Sequence, residues 1–113
     1  MELATGQRVP LVWERKNLSD LFGTMSSGYP RFKRELLAAQ DAGVQLVLGI
    51  EGTLTDVYAG IPYSDFSGDS CVKKLFTLWV RYGLRPVFCQ SRAELAQVIV
   101  ETFAAIERNY ILP

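Results

Sequence analysis

The sequence predicts an α/β fold, with helices layered on a central sheet, and three observations carry that prediction. VQLVLGI, residues 44–50, is a nearly unbroken apolar run of strand length, the mark of a central strand covered on both faces. Apolar residues at helical spacing flank it, with Phe32, Leu36 and Ala39 before it and Leu95, Ile99, Phe103, Ile106 and Tyr110 well after it. Strands that alternate with helices bury their apolar faces as layers, which gives an α/β sandwich. No repeat, low-complexity tract or long linker divides the 113 residues, so 1–113 reads as a single domain.

The first element is a strand at Leu11–Arg15, entered through Pro10, a position that a strand tolerates. A short helix from Leu18 to Met25 follows, with Asn17 as its cap and the breaker SSGYP after it. Pro30 opens a second helix that runs to Ala42 and stops at Gly43. After the central strand, TLTDVYAG is ambiguous and IPYSDFSG reads as a loop. Helical spacing returns with Val72, Leu75, Phe76 and Trp79, widened by Leu78 and Tyr82, and ends near Gly83. RPVFCQ makes another short strand. Ser91 followed by Glu94 is a capping box that opens the last helix, which extends to about Tyr110.

Composition removes several kinds of chemistry. There is no histidine, which excludes Ser-His-Asp and Cys-His catalysis and histidine-based zinc sites. Cys71 and Cys89 lack CxxC spacing and sit among apolar residues, so they read as small core residues in a reducing, cytoplasmic setting. No signal sequence and no apolar run of about 18 residues is present, so neither export nor membrane insertion is expected. Twelve basic residues balance twelve acidic ones, but up to Arg34 there are six basic residues against three acidic ones. That local excess suits a phosphate-binding face, and it equally suits a chance asymmetry.

The stretch LVWERK raises the functional question, because an apolar strand ends abruptly in three charges. Side chains alternate along a strand, so Glu14 and Lys16 project to one face while Trp13 and Arg15 project to the other. A carboxylate and an ammonium converging at a strand end suit metal-assisted phosphodiester hydrolysis: the first holds Mg²⁺ or Mn²⁺ and the second stabilises negative charge or orients water. By spacing alone, the same pair is also an ordinary solvated strand end.

The longer phrase ERKNLSDL resembles the ERKxxxD signature of the XPF-type (ERCC-type) structure-specific endonuclease family. The similarity continues through SSGYPRF, the basic helix KRELLAAQ, the strand ending in IEG, the helix ending in RYG and the strand PVFCQS, over about 100 residues. The resemblance implies a restriction-endonuclease-like fold, a three-layer sandwich with a central mixed sheet between helices. It also implies a Mg²⁺- or Mn²⁺-dependent cut in branched or junction DNA. Carried across, Glu14 is a metal ligand, Lys16 acts on the attacking water, Arg15 is a phosphate or structural contact, and Asp20 supports the site from the next helix. Arg31, Lys33 and Arg34 are expected as phosphate contacts on their own merits, with a solvated helix face as the alternative.

The family's upstream Gly-Asp, its other main metal carboxylate, has no counterpart in MELATGQRVP, and the strand before it is missing. Glu2 and Glu51 are the candidate replacements. Three functions remain open: an active metal-dependent DNA endonuclease, a catalytically inactive DNA-binding or dimer-partner protein that keeps the nuclease fold, and a small α/β protein with no nucleic-acid role. A stand-alone domain of this size suggests a bacterial, phage or mobile-element source. The apolar arcs of residues 70–82 and 92–110 predict a homodimer through those two helices, one stripe being Cys71, Leu75, Leu78 and Tyr82 and another Val98, Thr102 and Ala105. Trp13 and Trp79 are expected to pack in the core rather than stack on bases.

Overall fold

A computed structural model describes residues 10–110. Its elements, in chain order, are β1 (Leu11–Asn17), α1 (Leu18–Met25), α2 (Tyr29–Asp41), β2 (Gln45–Glu51), α3 (Leu54–Ala59), α4 (Gly68–Tyr82), β3 (Arg85–Cys89) and α5 (Arg92–Tyr110). The sheet has the order β1-β2-β3. Both pairings are parallel, Glu14 lying beside Leu48 and Glu51 beside Cys89. The α/β sandwich is therefore present, and the described strands are parallel rather than mixed. Each strand returns to the sheet through helices, as parallel pairing requires.

Central β2 is buried along most of its length, which explains its unbroken apolar composition. Leu46, Leu48 and Ile50 face a core built from Leu21, Phe22 and Met25 of α1, Phe32 and Leu36 of α2, and Leu75 and Leu78 of α4. Each fully buried leucine contributes roughly 1.5–3 kcal/mol of apolar burial. The other face carries Val47 and Gly49. A Cβ on Gly49 would meet Leu95 of α5 and Trp13 of β1, so the missing side chain lets α5 lie close against the sheet. Trp13 packs here as expected, although its indole N–H finds no hydrogen-bond partner among the described residues.

Local signals explain most element boundaries. Asn17 Oδ1 accepts from the Asp20 N–H at 2.8 Å and starts α1. The ambiguous TLTDVYAG is helix α3, and T-x-x-D was its signal. Asp56 Oδ2 accepts from the Thr53 N–H at 2.8 Å, and Thr53 Oγ1 accepts from the Asp56 N–H at 3.1 Å. Hydrogen bonds from the Thr53 backbone N–H and hydroxyl hold the Asp56 carboxyl below its ordinary range. Helix α4 starts four residues before the expected Val72, because the Ser67 hydroxyl accepts from the Ser70 N–H and caps it. Ser91 accepts from the Glu94 N–H as a capping box demands, but the Glu94 carboxylate accepts from the Gln90 N–H rather than from the Ser91 N–H.

The apolar stripes are only partly buried. On α5, Leu95 and Ile106 are buried while Phe103 and Tyr110 are exposed. This 19-residue helix spans about 28 Å, more than the strands it covers. On α4 the expected second stripe is largely internal: Cys71, Leu75 and Leu78 are all fully buried in the chain's own core. The wide apolar arc of α4 is thus satisfied mostly within one chain. Trp79, expected in the core, is half exposed and leans on Phe76 with ring centroids 5.7 Å apart.

Candidate active site

The alternation of β1 decides what the charged strand end can do. Glu14 and Lys16 lie in register with Leu48 and Ile50, on the face covered by α1 and α2. Here the Lys16 Nζ lies 3.4 Å from Glu14 Oε1, with both side chains partly buried. Helix α1 begins at the carboxyl end of this strand, where open α/β sheets place their ligand crevices. The crevice is present: Glu14, Lys16, Asp20 and Arg31 line one cleft of about 460 Å³. Its far wall is α2, where Arg31 Nε sits 3.4 Å from Glu35 Oε1 in an exposed i,i+4 pair.

Ser19, Thr24, Ser27 and Glu35 also line this cleft, and sequence reasoning passed over them. A signal was available, since Ser19 and Gly23 are one helical turn apart on α1 and Ser27 follows at the same spacing in the turn after it, a small, polar row. Its opposite face carries Leu21, Phe22 and Met25 into the core.

Two of the expected site residues lie on the other face of the sheet. Arg15 Nη2 donates to Glu51 Oε1 at 3.2 Å, and Arg92 Nε of α5 approaches the same oxygen at 3.9 Å. Glu51 is therefore committed to two guanidinium groups behind the sheet, and its strand parity separates it from Glu14. It corrects the expectation of Glu51 as a second ligand beside Glu14. Arg15 acts in the structure as a tie between β1 and the end of β2 rather than as a lining residue of the cleft. Glu2 lies outside the described residues.

The basic residues of α2 also divide. Arg31 lines the cleft and Arg34, one turn on, is exposed. Lys33 turns toward α4, its Nζ 5.2 Å from the centre of the Tyr82 ring. A hydrogen bond from the Lys33 ammonium, helped by its charge and that of Arg81, holds the Tyr82 phenol below its ordinary pKa. Three residues expected as one phosphate-binding group are thus two groups.

The cysteines take no part. Both are buried and unpaired, and burial pushes the Cys71 thiol up to about 11. A thiol held protonated is a poor nucleophile and a poor metal ligand.

A divalent cation can be tested against this donor set. Among the described residues no group of three or more Asp, Glu, Cys or His side chains converges. Mg²⁺ in phosphoryl chemistry, however, keeps several waters and takes one or two carboxylates plus substrate phosphate oxygens. Glu14 and Asp20, the hard-oxygen donors on the β1 and α1 side of one cleft, fit that description.

No helix among the described residues is long and apolar enough to cross a membrane. No curated protein matches the chain. The family model for the ERCC4 domain matches residues 2–102, which include both strand ends and both walls of the cleft. With ERK at the end of β1 and Asp20 on α1 inside that match, the chain belongs to the ERCC4 domain family, the XPF-type nuclease domains that act on DNA.

Proposed function

We propose that the protein is a divalent-metal-dependent DNA endonuclease that hydrolyses a phosphodiester held in the cleft between β1, α1 and α2. The single observation that carries this reading is the convergence of Glu14, Lys16, Asp20 and Arg31 on one cleft. Lys16 presents an ammonium to the phosphate and offsets the charge that develops on its oxygens. Arg31 exchanges its exposed partner Glu35 for a second phosphate oxygen, at little cost because such pairs contribute little. Glu14 would hold Mg²⁺ or Mn²⁺, with Asp20 as the second carboxylate. The ion supplies Lewis acidity and lowers the pKa of bound water. Behind the sheet, the Arg15–Glu51–Arg92 group keeps the end of β1 aligned with β2 and the start of α5.

Branched or junction DNA is the substrate in this reading, and a homodimer is the working form. Exposed Trp79 and Val80 on α4, with Val100, Phe103 and Tyr110 on α5, support the dimer. So does a groove of about 450 Å³ along Val98, Thr102 and Ala105.

A second reading, a non-catalytic DNA-binding or partner subunit, is favoured by the lack of a three-carboxylate group among the described residues. Cleavage of labelled duplex, splayed-arm and flap DNA with Mg²⁺ or Mn²⁺ separates the two. Metal-dependent cutting that disappears in Glu14→Ala and in Lys16→Ala is the expected result. DNA binding without cutting under either metal would establish the second reading instead.

A further inference from the structure

A second hollow adjoins the cleft along α1, between that helix and the loop 60–67, with a volume of about 620 Å³. Ser19, Gly23 and Ser27 line both, so the two hollows share a rim along α1 and the turn that follows it. Two residues of this hollow are ones that the fold does not itself require. Tyr63 stands at its rim with a left-handed backbone, φ 63°, which a bulky residue adopts only at an energetic cost. Its side chain is fully exposed, so no packing within the chain offsets that cost. Gly23 sits inside α1, where glycine weakens a helix, yet a Cβ there would meet nothing within 4 Å. Both choices suit something that lies against the helix and the ring from outside.

The chemistry of the lining says what that is. Among the described residues the hollow is lined by no Lys or Arg, and it carries Asp65, so it disfavours a phosphate. It offers an aromatic face at Tyr63, the part-buried Phe66 beneath, and serine hydroxyls around. An uncharged, flat, hydrogen-bonding group fits these features, and a nucleobase is such a group. Bases inside a duplex are stacked on one another, so only an unpaired base can use an aromatic platform.

We propose that the hollow binds one unpaired nucleobase adjoining the phosphate in the cleft, stacked on Tyr63, and that this contact selects DNA with a single-stranded arm. The inference rests on the endonuclease reading for the position of the phosphate. It predicts binding without requiring that the protein cut.

The test measures affinity for a splayed-arm DNA and for the matching continuous duplex, in Ca²⁺ so that cutting does not interfere. The first unpaired base of the arm is 2-aminopurine. In the wild type and in Tyr63→Phe, the arm is preferred and the 2-aminopurine fluorescence is quenched on binding. In Tyr63→Ala the preference for the arm falls about tenfold, and the quenching is lost. An unchanged preference and unchanged quenching in Tyr63→Ala, with DNA still bound, would overturn the stacking proposal alone. Failure of the wild type to bind either DNA would overturn the nucleic-acid reading and this inference with it.

Discussion

Substituting Gly49 by alanine tests the face assignment on which the active site depends. Gly49 is central in β2, and a Cβ there would lie 2.7 Å and 3.1 Å from the two methyls of Leu95 and 3.2 Å from Trp13 Cζ3. Leu95 is fully buried, so its methyls have little room to retreat. Overpacking of this kind costs about 1–3 kcal/mol. Restricting the unfolded chain by Gly→Ala returns about 0.4–1 kcal/mol. The net expectation is a loss of about 1–2 kcal/mol, which lowers the urea midpoint by about 0.5–1 M at an ordinary m-value. Leu95→Ala alone should cost about 2–5 kcal/mol. In the double variant the shortened side chain makes room for the new methyl, so the combined loss falls short of the sum by roughly 1 kcal/mol. Urea unfolding of all four proteins measures this. A neutral Gly49→Ala, or strictly additive losses, would refute the placement of α5 on this face. The separation of Arg15 and Glu51 from the cleft would then lose its basis.

Three further predictions concern the cleft and the core. Asn17→Ala removes the cap that accepts from the Asp20 N–H at 2.8 Å, so stability falls by about 1 kcal/mol in urea unfolding and cleavage falls with it as Asp20 loosens. Arg31→Ala should lower the slope of log affinity against log salt by about 1 in DNA titrations, whereas Lys33→Ala, its ammonium over Tyr82, leaves that slope in place. Burial raises the Cys71 thiol from 9.0 to about 11, so the unfolded chain ionises first and the folded state loses stability as pH rises through that window. The loss is at most roughly 2–3 kcal/mol, and Cys71→Ala flattens that part of the pH–stability curve measured by urea unfolding.

The elements legible from sequence are those whose signals are local. Asn17 and Ser91 cap helices through bonds to residues three positions away, and both were readable. The same kind of bond at Thr53 and Asp56 marked α3, but its short apolar content hid a helix of six residues. The cleft was half legible. Glu14, Lys16 and Asp20 are close in sequence and meet in space, whereas the wall formed by α2, with Arg31 and Glu35, depends on how two helices dock. The basic residues Arg31, Lys33 and Arg34 diverge because neighbouring helix positions point in different directions, and Tyr82, far along the chain, attracts Lys33.

Period-2 alternation along β1 was enough to place Glu14 and Lys16 on one face and Arg15 on the other, because a strand's geometry is a property of the backbone alone. No local rule could say which of those faces would open into a cleft, nor that Glu51, 36 residues from Arg15, would close against it. That choice was made by the parallel register and by whether α1 or α5 covers each face. Such contacts join residues distant in sequence, and their energies exist only once the layers have packed.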